Sequence, residues 1–425
     1  MKKIVLLVLL LCSVAAHAEL EIEVTQGLKN AVPIAIVPFA QQGQAGLGEI
    51  PDIVSADLYR SGMFKPLAST DLLSRPTSQQ QIIYRDFRVL GVPYLVIGQT
   101  TGNADGSYRV HYELYDTNQQ KQLLAQTYTA TLGQMRDVAH AIADKIFEQL
   151  TGVPGVFATK ILYVTFNRQS AYPYQLQYAD ADGARAQTVL RSKQPIMSPA
   201  WSPNGKQVAY VSFEGDGLPA IYIHTLANGQ RRVVSSFSGI NGAPAFSPDG
   251  TKLALTLSKD GNAEIYVMDI ATGALTRETN NYAIDTEPTW MADGQSLLFT
   301  SSRGGGPQIY KLNLSDKSVA RMTFNGNYNA KPDVTPDGRF LVYVHREDGK
   351  FHIAVQDLQR GTFHIVTQTG LDESPSVAPN GSMVIYGTLY QGKSVLEAVS
   401  IDGRVKIRLP SKDGEVRDPA WSPYL

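Results

Sequence analysis

His345, His352 and His364 stand close together in this 425-residue chain, and three imidazoles around an open position are the ligand set of a catalytic zinc. Their spacings match no zinc motif, and successive positions of a strand face opposite ways, so the three read as ordinary polar strand positions. Asp180-Ala181-Asp182-Gly183 opens like a calcium loop but lacks the later oxygen ligands and the acidic last residue, and reads as a hairpin turn. The sequence holds no G-x-S-x-G elbow, no H-E-x-x-H pair and no phosphate-binding Walker loop, the arrangements that would assemble a nucleophile, a metal-bound water or a phosphate cradle. These absences point away from an enzyme, with no cofactor and no metal.

What remains is a set of short polar segments, each placed directly before a proline, and they owe their position to a repeat. The phrases PAWSPNG from Pro199, PAFSPDG from Pro244, PTWMADG from Pro288, PDVTPDG from Pro332, PSVAPNG from Pro375 and PAWSP from Pro419 recur at intervals of 43 to 45 residues. Such a period corresponds to one four-stranded propeller blade. Proline is tolerated at the start of a strand, and the Asn-Gly or Asp-Gly pair after it supplies the positive φ of a tight hairpin. Short apolar strands follow, among them VAYVS from Val208 and LLFTS from Leu297, as suits a sheet packed on both faces. Before Pro199 lie three strands without an innermost phrase, KILYVTFN, YQLQYAD and AQTVLR; the chain ends on that phrase with nothing after it, PAWSPYL. Both ends of this half therefore build one shared blade, giving six blades and no open edge at the seam.

In such a blade the pre-proline segments and the loops between second and third strands share one face. Asp285, Glu287, Asp372, Glu373 and Asp418 outnumber Lys331 and Arg417 there, so the rim is expected to be net acidic, and convergent loops are where propellers bind. Asn241, Gly242, Ala243, Thr286 and Asn329 complete the candidate partner-binding residues at this rim. Capping of strand ends and solvation of loops is the alternative role for all of them.

The N-terminal part reads differently. Lys2 and Lys3, an apolar run from Ile4 to Ala16 and Ala16-His17-Ala18 have the build of a secretory signal peptide over 1–18, and the run is too short for a stable membrane span. The leader implies export, and the one cysteine, Cys12, leaves with it. Loss of Lys2 and Lys3 lowers the formal net charge from −1 to −3, which favours no nucleic acid. Over 19–155, the strand PIAIVPFA, a helix with Ile50, Ile53, Val54, Leu58 and Met63 at close to helical spacing, strands from Tyr94 onward, and a last helix Met135 to Leu150 make a small α/β domain. The six-bladed propeller takes 156–425. In the mature N-terminal segment Glu19, Glu21 and Glu23 alternate with Leu20, Ile22 and Val24, ahead of Thr25 and Gln26. That is a strand with one acidic and one apolar side, able to serve as an edge strand of its own protein or as a recognition strand for another.

The leader, the α/β domain opening with IAIVPF, the six repeats and the truncated PAWSPYL ending together resemble the TolB family of the Tol-Pal system, over essentially the whole mature chain. The resemblance implies a non-catalytic periplasmic adaptor that serves outer-membrane integrity and cell division. It implies two partners, with other OmpA-like or outer-membrane proteins as further ones. The peptidoglycan-associated lipoprotein would meet the propeller at positions matching Asn241, Gly242, Ala243, Thr286 and Glu287, and TolA would meet the segment Glu19 to Gln26. This chain departs from the family pattern at Ile240, where enterobacterial relatives tend to carry a histidine beside the asparagine. The residues by themselves leave open a periplasmic enzyme or carbohydrate binder that uses the channel mouth.

Overall fold

The computed structural model describes residues 23–26, 31–42, 49–409 and 414–425; the expected leader and Glu19 to Ile22 lie outside them. Six four-stranded antiparallel sheets form a propeller: blades one to five run from Ile196, Asn241, Asp285, Asn329 and Glu373, and blade six joins Lys160–Phe166, Tyr174–Asp180 and Gln187–Ser192 to the last strand, Glu415–Trp421. The closing register pairs Trp421 with Ile161 and Ala420 with Leu162. The second strand of each blade is apolar on both sides because both are covered: Ser296–Ser301 is buried at every position. Tryptophans of the repeat phrase tie blades together through their indole N–H. Trp290 Nε1 donates to Ala245 O at 3.0 Å and Trp201 Nε1 to Ala420 O at 3.0 Å, so these large side chains bury their bodies without stranding a donor.

The Asn-Gly and Asp-Gly turns work in a divided way. Only the glycines take positive φ, 66° at Gly205 and 72° at Gly250. The preceding side chain accepts backbone N–H groups instead, as Asn204 Oδ1 does from Lys206 at 3.0 Å and Asp249 Oδ1 from Thr251 at 3.0 Å. The turns are therefore Asx-type closures.

The α/β domain is a mixed sheet centred on Val32–Ile36 and Tyr94–Gly102, which pair in parallel. Helices α1 (Glu49–Arg60) and α3 (Met135–Thr151) cover one face, where Ile34, Val96 and Tyr112 meet Ile50, Ile142 and Ile146. Helix α2 (Tyr84–Val89) lies on the other, with Phe87 against Leu95 and Tyr115. Met63, expected on the α1 stripe, falls beyond that helix and is half exposed, because the chain turns at Gly62 with φ 66°. A Cβ at Gly62 would lie 2.3 Å from Val405 of blade five, so that turn is packed closely against the propeller.

The connection between the two parts is held by Asp144 of α3, which accepts the N–H groups of Phe157 at 2.7 Å and Ala158 at 3.1 Å. Burial raises its carboxyl to about 6, against the lowering effect of those bonds. Asp144→Ala would remove the acceptor of the Phe157 N–H, whose residue is buried. The expected cost is about 1–3 kcal/mol, read as a lower denaturant midpoint at unchanged slope.

Candidate partner-binding site

Each innermost strand carries a β-bulge, at 197/200, 242/245, 286/289, 330/333, 373/376 and 417/420. The residue before each proline sits inside the bulge in the left-handed region: Ser198, Ala243, Glu287, Lys331, Ser374 and Asp418, with φ from 46° to 57°. A bulge sets two residues against one and bends the strand. Here the same device recurs in all six blades and brings the six residues to one ring, the lining of a central cavity of about 410 Å³.

Four members of the ring are linked blade to blade. Lys331 Nζ donates to Ser374 Oγ at 2.6 Å, Ser374 Oγ donates to Asp418 Oδ1 at 2.8 Å, and Glu287 Oε2 accepts the Lys331 N–H at 2.9 Å and the Thr300 hydroxyl at 2.8 Å. Burial works against the Lys331 charge, but Asp418, Glu287 and Glu373 outweigh it and hold the ammonium above its ordinary value. A lysine kept protonated cannot take the Ser374 proton, so this Ser-Lys-Asp group is not an activated nucleophile.

The candidate rim residues fall into two groups. Gly242, Ala243, Thr286 and Glu287 are partly exposed and Glu373 is exposed. Asn241, Asp285, Asn329 and Asp372, each three positions before its proline, are buried and engaged by side chains of their own or the preceding blade. Asn241 Oδ1 accepts from Ser235 Oγ at 2.6 Å, and Asp285 takes Ser301 Oγ at 2.6 Å and Arg303 Nη2 at 2.6 Å. Asn329 donates to Gln308 Oε1 at 2.9 Å and meets His345 Nδ1 at 2.7 Å, while Asp372 accepts the Thr388 and Thr367 hydroxyls. The acidic rim expected from composition is corrected accordingly: two of its five carboxylates are withdrawn into the blades, and Asp418 is occupied by Ser374 and Lys331.

Apolar side chains take their place. Tyr282 is 87% exposed, Phe324 71%, Ile284 56% and Leu371 51%, with Met197, Phe237 and Ile240 also exposed. All lie in the segments that lead into innermost strands, hence at the same end of the propeller. Adjoining the ring, a second cavity of about 440 Å³ is lined by Tyr328, Val344, Phe351, Leu371 and Leu389 together with Glu287 and Lys331. Cations border this surface: Lys259 Nζ stands 5.5 Å from the Phe237 ring and the Arg321 guanidinium 5.2 Å from Phe324. An exposed apolar face with a polar centre is a protein-docking surface. The sequence carried a signal for it, since Ile240, Ile284, Tyr328 and Leu371 all stand four residues before a repeat proline.

The three clustered histidines divide among separate roles. His345 lies across from His352 in the ladder, whereas His364 pairs with Val355 and reaches Ile401 O at 3.3 Å. Asp180 to Gly183 forms the hairpin turn expected of it, but its carboxylates face the α/β domain.

The N-terminal strand Glu23–Gln26 pairs antiparallel with the outer strand of blade five, Glu23 opposite Arg408 and Val24 opposite Ile407, and makes that blade five-stranded. Glu19, Leu20, Glu21 and Ile22 are outside the described residues.

Residues 147–425 match the TolB beta propeller domain model and residues 20–123 the TolB amino-terminal domain model. The Tol-Pal system protein TolB of Alcanivorax borkumensis is 68% identical over 421 residues, 99% of this chain and 97% of that protein. Its namesake in Pseudomonas fluorescens SBW25 is 53% identical over 99% of this chain and 98% of that one. The crystal structure of TolB from Acinetobacter baumannii superposes with a TM-score of 0.90 at 44% identity, covering 96% of this chain and all of that one. The two-part architecture, the six closed blades and these full-length similarities together show that the chain belongs to the TolB family, a non-catalytic component of the Tol-Pal system.

Proposed function

We propose that this protein is a periplasmic adaptor that receives the peptidoglycan-associated lipoprotein on the bulged face of the propeller and TolA through its mature N-terminal segment, in support of outer-membrane integrity and cell division. The exposed apolar ring of Ile240, Ile284, Phe324 and Leu371 around a polar mouth carries this reading. Among the described residues no helix is long and apolar enough to cross a membrane. Blade five links the two proposed contacts. Its innermost strand holds Glu373 and its outermost position is the N-terminal strand, so one hydrogen-bonded ladder runs from rim to terminus.

Isothermal titration with the soluble domain of the lipoprotein tests the rim. Ile284→Asp with Leu371→Asp should weaken binding on the order of 30-fold or more, the loss expected when central apolar anchors are removed. Thermal unfolding should be unchanged, because both side chains are exposed. Unaltered affinity would move the site off this face. The pair is a cleaner probe than Glu287→Ala, which also removes the acceptor of the Lys331 N–H and the Thr300 hydroxyl.

A further inference from the structure

Between the α/β domain and blade six lies a buried ionic cluster that includes none of the candidate partner-binding residues. Its centre is His140 of α3, 1% exposed. The ring's Nδ1 is 2.7 Å from Asp57 Oδ2 of α1, a bond that fixes the proton on Nδ1, since Asp57 as a carboxylate can only accept. Nε2 has no hydrogen-bond partner, and faces Asp180 Oδ2 at 3.8 Å and Asp182 Oδ2 at 3.9 Å in the β-turn of blade six. A neutral imidazole would turn its lone pair toward two carboxylate oxygens. A proton on Nε2 converts that repulsion into attraction across the domain interface.

The other charged groups around the ring come from each element packed on it. On α1, Arg60 pairs with Asp57. On α3 itself, Arg136 donates to Asp180 at 3.1 Å and also pairs with Asp182; Asp137 pairs with Arg185, and Asp144 stands one turn further on. From the propeller, Lys160 and Arg185 bond Asp180, the latter at 2.8 Å. The acidic groups are thus Asp57, Asp137, Asp180 and Asp182, against Arg60, Arg136, Lys160 and Arg185, with Asp144 beside them. The guanidinium contacts decide against a metal on the same atoms. Arg136 and Arg185 already occupy Asp180 Oδ2, and Arg136 occupies Asp182 Oδ2, so a divalent cation would have to sit against them, whereas a proton needs no displacement.

We propose that His140 is a proton-dependent latch between the two parts of the molecule: as an imidazolium it bridges Asp57 of the α/β domain to Asp180 and Asp182 of the propeller, and as neutral imidazole it releases the propeller side. The ionisation agrees in direction. Burial lowers the His140 pKa, but the carboxylates of Asp180, Asp57 and Asp182 outweigh it and raise the group to about 9 from 6.5. A raised histidine stabilises the folded state fully below pH 6.5 and loses that contribution as pH climbs through about 9.

The test uses the full mature chain. Imidazole NMR of labelled protein should show His140 titrating more than one pH unit above the ordinary value. Spin labels at Val89→Cys in the α/β domain and Val233→Cys in blade one, both exposed, should give an interdomain distance distribution that broadens across that same titration. In His140→Gln the distribution should be independent of pH over the range. A His140 titration at or below 6.5, or a distance distribution that stays unchanged while His140 deprotonates, would overturn the latch. Stoichiometric Zn²⁺ binding that disappears in His140→Gln would overturn it in favour of a metal bridge. Should that variant fail to fold, the wild-type titration and distances decide alone.

Discussion

A chain that stops at Asp418 should lose cooperative unfolding of its propeller, because its last seven residues hold three blades at once. Ala420 and Trp421 pair with Leu162 and Ile161 of blade six. Ser422 Oγ accepts the Lys160 N–H at 2.9 Å, Trp421 N donates to Ser376 Oγ of blade five at 3.0 Å, and Ala420 O takes the indole N–H of Trp201 in blade one at 3.0 Å. Removing them unpairs Ile161 and Leu162 at one end of the Lys160–Phe166 edge and opens an apolar cluster around Ile161, Tyr163 and Ala179. Trp421→Ala isolates one part of the effect. It empties a large side chain whose indole N–H bonds Thr159 Oγ1 at 2.8 Å, and such truncations cost about 3–5 kcal/mol. A Tm drop on the order of 5 °C follows for a protein of this size. Calorimetry reads both, and a truncated protein that melts within a degree or two of the full chain would show that ring closure does not depend on this strand.

Removal of Glu19 to Gln26 should abolish binding to TolA and leave binding to the lipoprotein intact. The deletion strips the fifth strand from blade five but none of the four that build the ring, and the rim residues belong to innermost strands at the opposite side of the blade. Backbone pairing of a short edge strand is worth little by itself, so global stability should change by no more than about 1 kcal/mol. Surface plasmon resonance with each partner separates the outcomes. Full TolA affinity in the shortened protein would remove the N-terminal segment from recognition, and a parallel loss of the lipoprotein would make the strand part of the rim's architecture. Because a ligand shifts a docked and a released state only through its differential affinity for them, the same measurement made with both partners present reports whether the two sites are coupled.

Architecture was legible in the sequence because it follows from local, repeating rules. A period of 43 to 45 residues, proline at a strand start and glycine at a turn recur in register, and a repeat that cannot bury its own faces must stack on its neighbours. The incomplete first and last repeats even disclosed how the ring closes. Side-chain fate at the rim was not legible. Asp285 and Glu287 are two positions apart in one strand, yet Asp285 is sealed against Arg303 and Ser301 while Glu287 lines the central cavity. The bulge that separates them depends on how six strands converge. The latch was further still from reach: Asp57, His140, Asp180 and Asp182 come from two helices and a turn, and Asp180-Ala181-Asp182 carries no local mark beyond that of a turn. Periodicity determines which strands form and how they close, because backbone pairing is regular. Tertiary packing alone decides which carboxylate is desolvated and paired and which meets a partner, because that depends on charges brought together from distant parts of the chain.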